Sequence, residues 1–173
     1  MIHNGSKGFV AEQRMQRMVK MAETVGSWST DASKGVGCVV FDLVSGTPIA
    51  TGFNRFPTGV EETPKRLERP AKYLYVVHAE TVALAFCARK GIATEGMAIA
   101  LNYFPCAQCA GALIEAGLEF IIAPEPDWNC ERWGKEQQAG MRKLCEASKS
   151  VGFSSPGQDI SWQTFRDAYP WEK

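Results

Sequence analysis

Two short runs of this chain carry residue types that can do chemistry. His78-Ala79-Glu80 sets an imidazole two residues ahead of a carboxylate, and Pro105-Cys106-Ala107-Gln108-Cys109 sets two thiols three residues apart. Catalytic zinc takes three protein ligands and keeps a fourth position for water, so His78, Cys106 and Cys109 form a Cys₂His set with that position open. In the first turn of a helix, Cys106 and Cys109 fall on one face. The free N–H groups and positive dipole end there favour thiolates. Zinc lowers the pKa of its water from about 16 to about 7. Hydrolysis at an aminated ring carbon then needs a group that carries protons from water to the ring and the leaving amine. Glu80, not needed as a ligand, fits that role.

The elements that must position these residues can be read from periodicity. Met15, Met18, Val19 and Ala22 recur at three- and four-residue steps, so residues 9–25 are expected to form an amphipathic helix. Residues 36–41 and 49–53 read as strands joined through Ser45-Gly46 and Pro48, a hairpin. Residues 54–69 are charged and hold two prolines, and read as a long irregular loop. Val76 and Val77 lead into a helix over 78–90, which Gly91 ends. A strand over 97–101, a helix over 106–116, a strand at Phe120–Ala123, a helix over 133–147 and a strand over 151–153 follow. A last short helix is expected over 159–168. These alternating steps predict an α/β fold whose later strands run parallel through right-handed crossovers.

The whole chain bounds what surrounds the site. Its 173 residues suit one domain, 1–173, with one sizeable core. Lys+Arg and Asp+Glu both total 19, for zero formal charge, which argues against a surface built for nucleic acid. No apolar run is long enough to span a membrane. The N-terminus lacks an apolar signal region, so a cytoplasmic location is expected. Six cysteines are present, and Cys38, Cys87, Cys130 and Cys145 read as small apolar side chains rather than a disulfide framework.

His-x-Glu followed by Pro-Cys-x-x-Cys resembles the signature of the zinc nucleobase deaminases. The segments VGCVVFD, TGFNRFPTGVEE, KYLYVVHAETVALAFCAR and NYFPCAQCAGALIEAGLEFII narrow the likeness to the deoxycytidylate (dCMP) deaminase family, over residues 26–123. The resemblance implies a three-layer α-β-α fold with a central mixed sheet of about five strands flanked by helices. It implies one catalytic Zn²⁺ and hydrolysis of dCMP to dUMP and ammonia, which supplies thymidylate synthesis. It also implies a homo-oligomer, typically a hexamer, activated by dCTP and inhibited by dTTP, with Mg²⁺ accompanying the triphosphate. On this likeness Asn54 contacts the sugar and the Ala79 backbone the pyrimidine, while Phe86 and Arg89 select the deoxynucleotide and its phosphate. Arg89 lies eleven residues after His78 and returns to within about 20° of the same helical face, about 16 Å further along. The basic run Lys65, Arg66, Arg69 and Lys72 is a second candidate for the phosphate.

The chain departs from the family pattern at three places. Val82 stands where Asn is usual, Arg55 where Gly is usual in a loop associated with effectors, and the sequence after Pro124 differs. A 5-substituted dCMP or another free nucleotide therefore stays open as substrate, as does effector control. A tRNA adenosine deaminase shares the zinc motif but is disfavoured by the neutral charge. A structural-zinc module has no use for Glu80.

Overall fold

The computed structural model describes residues 5–163 together with Tyr169 and Trp171. Its first helix, α1 (Gly5–Gly26), leads to β1 (Gly37–Phe41) and β2 (Pro48–Phe53), the antiparallel hairpin expected from the Ser-Gly turn. Two short helices follow, α2 (Pro64–Leu67) and α3 (Lys72–Tyr75), before α4 (Ala79–Lys90). Then come β3 (Ala98–Leu101), α5 (Ala107–Glu115), β4 (Phe120–Ala123), α6 (Gly134–Glu146), β5 (Ser150–Phe153) and β6 (Ser161–Trp162).

The described strands form one mixed sheet in the order β2-β1-β3-β4-β5-β6. β3, β4 and β5 run parallel, joined through α5 and α6, while β1 pairs antiparallel with both β2 and β3. The expected last helix is not what residues 159–163 form. Ser161 and Trp162 pair antiparallel with Phe153 and Gly152 and add a sixth, edge strand. Residues 164–168 of that expectation lie outside the described ones.

Alternation along the central strands separates two apolar layers, as a two-residue period requires. Cys38 and Val40 of β1 and Ile99 and Leu101 of β3 face α4, α5 and α6, where Ala83, Cys87, Leu113, Met141 and Leu144 pack. Val39, Phe41, Ala98 and Ala100 face the opposite way, onto Met15, Met18, Val19, Ala22 and Val25 of α1. Burial of each larger side chain in that stripe contributes roughly 1.5–3 kcal/mol. The result is the three-layer α-β-α arrangement. Among the described residues no helix is long and apolar enough to cross a membrane, and all six cysteines are free.

Candidate active site

The two reactive runs sit at helix starts on one face of the sheet. His78 is the N-cap of α4, with extended backbone (φ −69°, ψ 152°), and Cys106 is the N-cap of α5 (φ −71°, ψ 170°). Each therefore lies one residue outside the helix that the sequence assigns it to. Close backbone approaches hold both starts in place. A side chain at Gly52 of β2 would collide with the Ala79 carbonyl, so the first turn of α4 rests directly on the strand. A Cβ at Gly140 of α6 would stand 2.9 Å from the Pro105 carbonyl oxygen, which lets α6 support the thiol loop from behind.

This placement brings three donor atoms together. His78 Nδ1 lies 3.3 Å from Cys109 Sγ and 3.7 Å from Cys106 Sγ, and all three donors fall within 4.8 Å of one another. With Zn–S bonds of about 2.3 Å and Zn–N bonds of about 2.0–2.1 Å, a tetrahedral ion separates sulfur from nitrogen by about 3.5 Å. The observed separations bracket that value, and the borderline-soft N,S,S donor set suits zinc. Among the described residues no fourth His, Cys or carboxylate joins the group.

The electrostatics of the three donors are set by their mutual closeness. Cys109 stabilises the Cys106 thiolate by hydrogen bonding, with His78 adding to it, and pulls the Cys106 pKa down to about 4. Cys109 is pushed up, first by that same bond and then by burial, because a second thiolate would crowd the first. His78 is raised chiefly by its bond to Cys106. Glu80, in the first turn of α4, is only 3% exposed, and this desolvation raises its pKa above the usual carboxylate range.

These groups open onto a cavity of about 310 Å³. His78, Ala79, Glu80 and Cys106 line it together with Val36, Asn54, Val76, Tyr103, Phe104, Trp133 and Gln137. Its remaining walls carry Asp31, Ser33, Lys34, Arg69, Lys72, Tyr73 and Arg132. Asn54 is buried and largely committed to the fold. Its Oδ1 accepts from the Val36 N–H at 2.8 Å, and its Nδ2 donates to the Lys34 carbonyl at 3.0 Å and to Asp31 at 3.3 Å. Lys72 Nζ bonds both oxygens of Asp31, at 2.7 and 2.8 Å, with each side chain about nine-tenths buried. Burial works to raise the Asp31 pKa, but the bonds from Lys72 and Ser33 outweigh it and hold it below the ordinary value.

Residues 12–124 match the family model for the cytidine and deoxycytidylate deaminase zinc-binding region. The chain belongs to this family. It is 34% identical over 148 residues to an uncharacterized deaminase of Aliivibrio fischeri, covering 85% of this chain and 91% of that protein. It is 31% identical to a probable deoxycytidylate deaminase of Caenorhabditis elegans over 63% of this chain, spanning 56% of that protein. The fold is similar to that of the dCMP deaminase of cyanophage S-TIM5 in its complex with dCMP and dUMP, with a TM-score of 0.66 and 22% identity. That match covers 80% of this chain and 95% of the phage protein.

The family likeness expects Asn54, Ala79, Phe86 and Arg89 around the ligand. Asn54 and Ala79 line the cavity. Phe86 packs instead against the edge of the core. Arg89, in the last turn of α4, lines a separate depression with Arg55, Phe56, Pro57, Thr58, Thr81 and Val82. The face argument from His78 does not carry to Arg89 because His78 caps the helix with extended backbone and lies off its helical face. Of the basic run, Arg69 and Lys72 reach the cavity and Lys65 and Arg66 do not line it.

Several cavity residues carry no motif of their own: Asp31, Lys34, Tyr103, Arg132, Trp133 and Gln137. The usable signal for some of them is topological. In α/β sheets ligands bind outside the carboxyl ends of the parallel strands. Tyr103 and Phe104 follow β3, and Arg132 and Trp133 follow β4.

Proposed function

We propose that this protein is a single-domain, zinc-dependent hydrolase that deaminates a free deoxycytidine nucleotide, dCMP and water giving dUMP and ammonia. Such a reaction would supply the precursor of thymidylate. The observation that carries the reading is a buried carboxylate, Glu80, lining the same cavity as His78 and Cys106 of the three-donor cluster.

In this reading His78, Cys106 and Cys109 hold the metal. When bound, zinc acidifies its water into the neutral range. Glu80 takes the two protons of water in turn, passing the first to the ring nitrogen as water adds and the second, from the resulting hydroxyl, to the departing amine. A carboxylate whose proton affinity is raised by burial suits both directions of that transfer. The Ala79 backbone contacts the pyrimidine. Asn54 braces loop 31–36 and offers the remaining lone pair of its Oδ1 to a sugar hydroxyl. Val36, Tyr103 and Phe104 supply apolar wall that limits water around the base.

Phe86 and Arg89 enter the reading through a homo-oligomer, on the family pattern a hexamer, in which they reach a nucleotide held by a neighbouring subunit. Regulation by dCTP and dTTP, with Mg²⁺ on the triphosphate, belongs to the same reading. It is tested by adding each nucleotide to the assay.

The decisive experiment incubates the zinc-loaded chain with dCMP, a 5-substituted dCMP, CMP, deoxycytidine, dCTP and an RNA hairpin while ammonia release is followed. The expected result is the highest kcat/KM on dCMP. Release from the RNA hairpin alone, or from none of the panel, would overturn the proposal.

A further inference from the structure

We infer that three cations at the mouth of the cavity, Lys34, Arg69 and Arg132, form a phosphate-binding collar through which this chain reads the 5′-phosphate of its own substrate. The inference rests on the nucleotide reading above and assigns the residues that recognise the charged end.

Charge balance in the cavity points there. Of its two carboxylates, Asp31 is neutralised by Lys72 and Glu80 is buried beside the ligand triangle. Lys34, Arg69 and Arg132 are exposed while lining the same cavity, so they mark its rim. Among the described residues none of the three joins an ion pair. The rim thus carries three positive charges with no acidic partner among the described residues, and a dianionic phosphomonoester is the ligand chemistry that completes it.

The way two of these cations are seated strengthens the case. The Arg132 guanidinium lies 5.3 Å from the ring centre of Tyr73 and 5.4 Å from that of Trp133. These two rings meet edge to face, with centroids 6.3 Å apart, and so bridge α3 to the segment after β4. Lys34 Nζ lies 5.2 Å from the ring of Tyr103. Contact with a ring face positions a cation without consuming its N–H donors. The donors stay available, and the Arg fork can take two phosphate oxygens at once. A cavity of about 310 Å³ lies at the lower end of the range for small-molecule sites and suits one mononucleotide. Arg89 and Arg55, by contrast, line a different depression.

The test uses the full zinc-loaded chain with Arg69→Met, Arg132→Met and the double variant; Met keeps much of the side-chain bulk against the rings and removes the charge. Turnover is measured on dCMP and deoxycytidine, and binding of dUMP and deoxyuridine by calorimetry. Each single variant is expected to lower kcat/KM for dCMP by about ten- to hundredfold and to weaken dUMP in parallel. The nucleosides should change far less, and Arg132→Lys should recover part of the loss. Equal losses on nucleotide and nucleoside would mean that the two arginines only support the fold, and would sink the inference. Unchanged dCMP kinetics, with the phosphate preference abolished instead by Arg89→Met, would place the phosphate reader on a neighbouring subunit. If the chain deaminates neither substrate, the proposed reaction fails, yet dUMP binding that depends on Arg69 and Arg132 would still support the collar.

Discussion

Substitution of Gly52 by Ala should damage catalysis from outside the cavity. Gly52 lies in β2 directly beneath the first turn of α4. A methyl group there points at the Ala79 carbonyl and comes within 2.8 Å of the Ala83 nitrogen. Comfortable contact begins near 3.5 Å, so the helix must retreat by about 0.7 Å to clear Ala83 and further to clear the carbonyl. Both neighbours are helix backbone and cannot rotate away. A retreat of about 1–1.4 Å carries His78 and Glu80 with it while the thiols stay on α5, and the 3.3 Å spacing of His78 from Cys109 is lost. Overpacking of this kind costs about 1–3 kcal/mol of stability. Misplacement by about 1 Å can cost about a hundredfold in rate. The assay compares melting temperature, zinc content and kcat/KM with wild type, using Gly111→Ala as control. A Cβ at Gly111, within α5, would meet only Lys143 Nζ at 3.8 Å, so that change should leave catalysis intact and favour the helix. Wild-type zinc content and turnover in Gly52→Ala would refute the claim that this contact sets the position of α4.

Glu80→Gln should keep the fold and bind zinc yet lose about 10²–10⁴-fold or more in kcat, and near-normal turnover would remove Glu80 from proton transfer. Cys106→Ala should abolish stoichiometric zinc, and metal analysis of the purified variant decides this; full zinc content would remove Cys106 from the ligand set. Asp31→Asn leaves Lys72 buried without its partner and should cost about 3 kcal/mol, at the low end for a buried pair because both side chains face an open cavity. The same pair sets an acid limit. The folded Asp31 pKa is below the ordinary 3.8, so its contribution is complete above about 4 and is lost as pH falls through the lower folded value. Denaturant titrations of wild type and Asp31→Asn should therefore converge as pH falls below 4, and a constant gap would refute the linkage.

The central scaffold was legible because its signals are local. Continuous β-branched runs mark β1 and β4, Gly91 and Gly117 follow α4 and α5, and His78, Glu80, Cys106 and Cys109 converge because each pair sits at a helix start. A one-residue offset limited the finer geometry. As an N-cap, His78 does not share the helical face from which the direction of Arg89 was reckoned. Thr63-Pro64 also encodes a helix start inside what reads as loop, since the Thr63 side chain accepts from the Arg66 N–H at 3.4 Å. The tail misled because two residues of edge strand carry almost no periodicity, and only pairing with β5 decides their state. The cavity walls were the least legible. Asp31 with Lys72, and Tyr73 with Arg132, are partners 41 and 59 residues apart, joined only by tertiary packing.

The parts that hold the chemistry and the parts that surround it obey different constraints. The floor is fixed by backbone contacts at Gly52 and Gly140, so a side chain at either glycine disturbs the fold as well as the reaction. Lys34, Arg69 and Arg132 are exposed, form no ion pair among the described residues and come from three separate segments. Exposed positions of that kind tolerate substitution within about ±0.5 kcal/mol. Selection, natural or in the laboratory, can therefore change the charge at the cavity mouth while the ligand-holding floor stays unchanged.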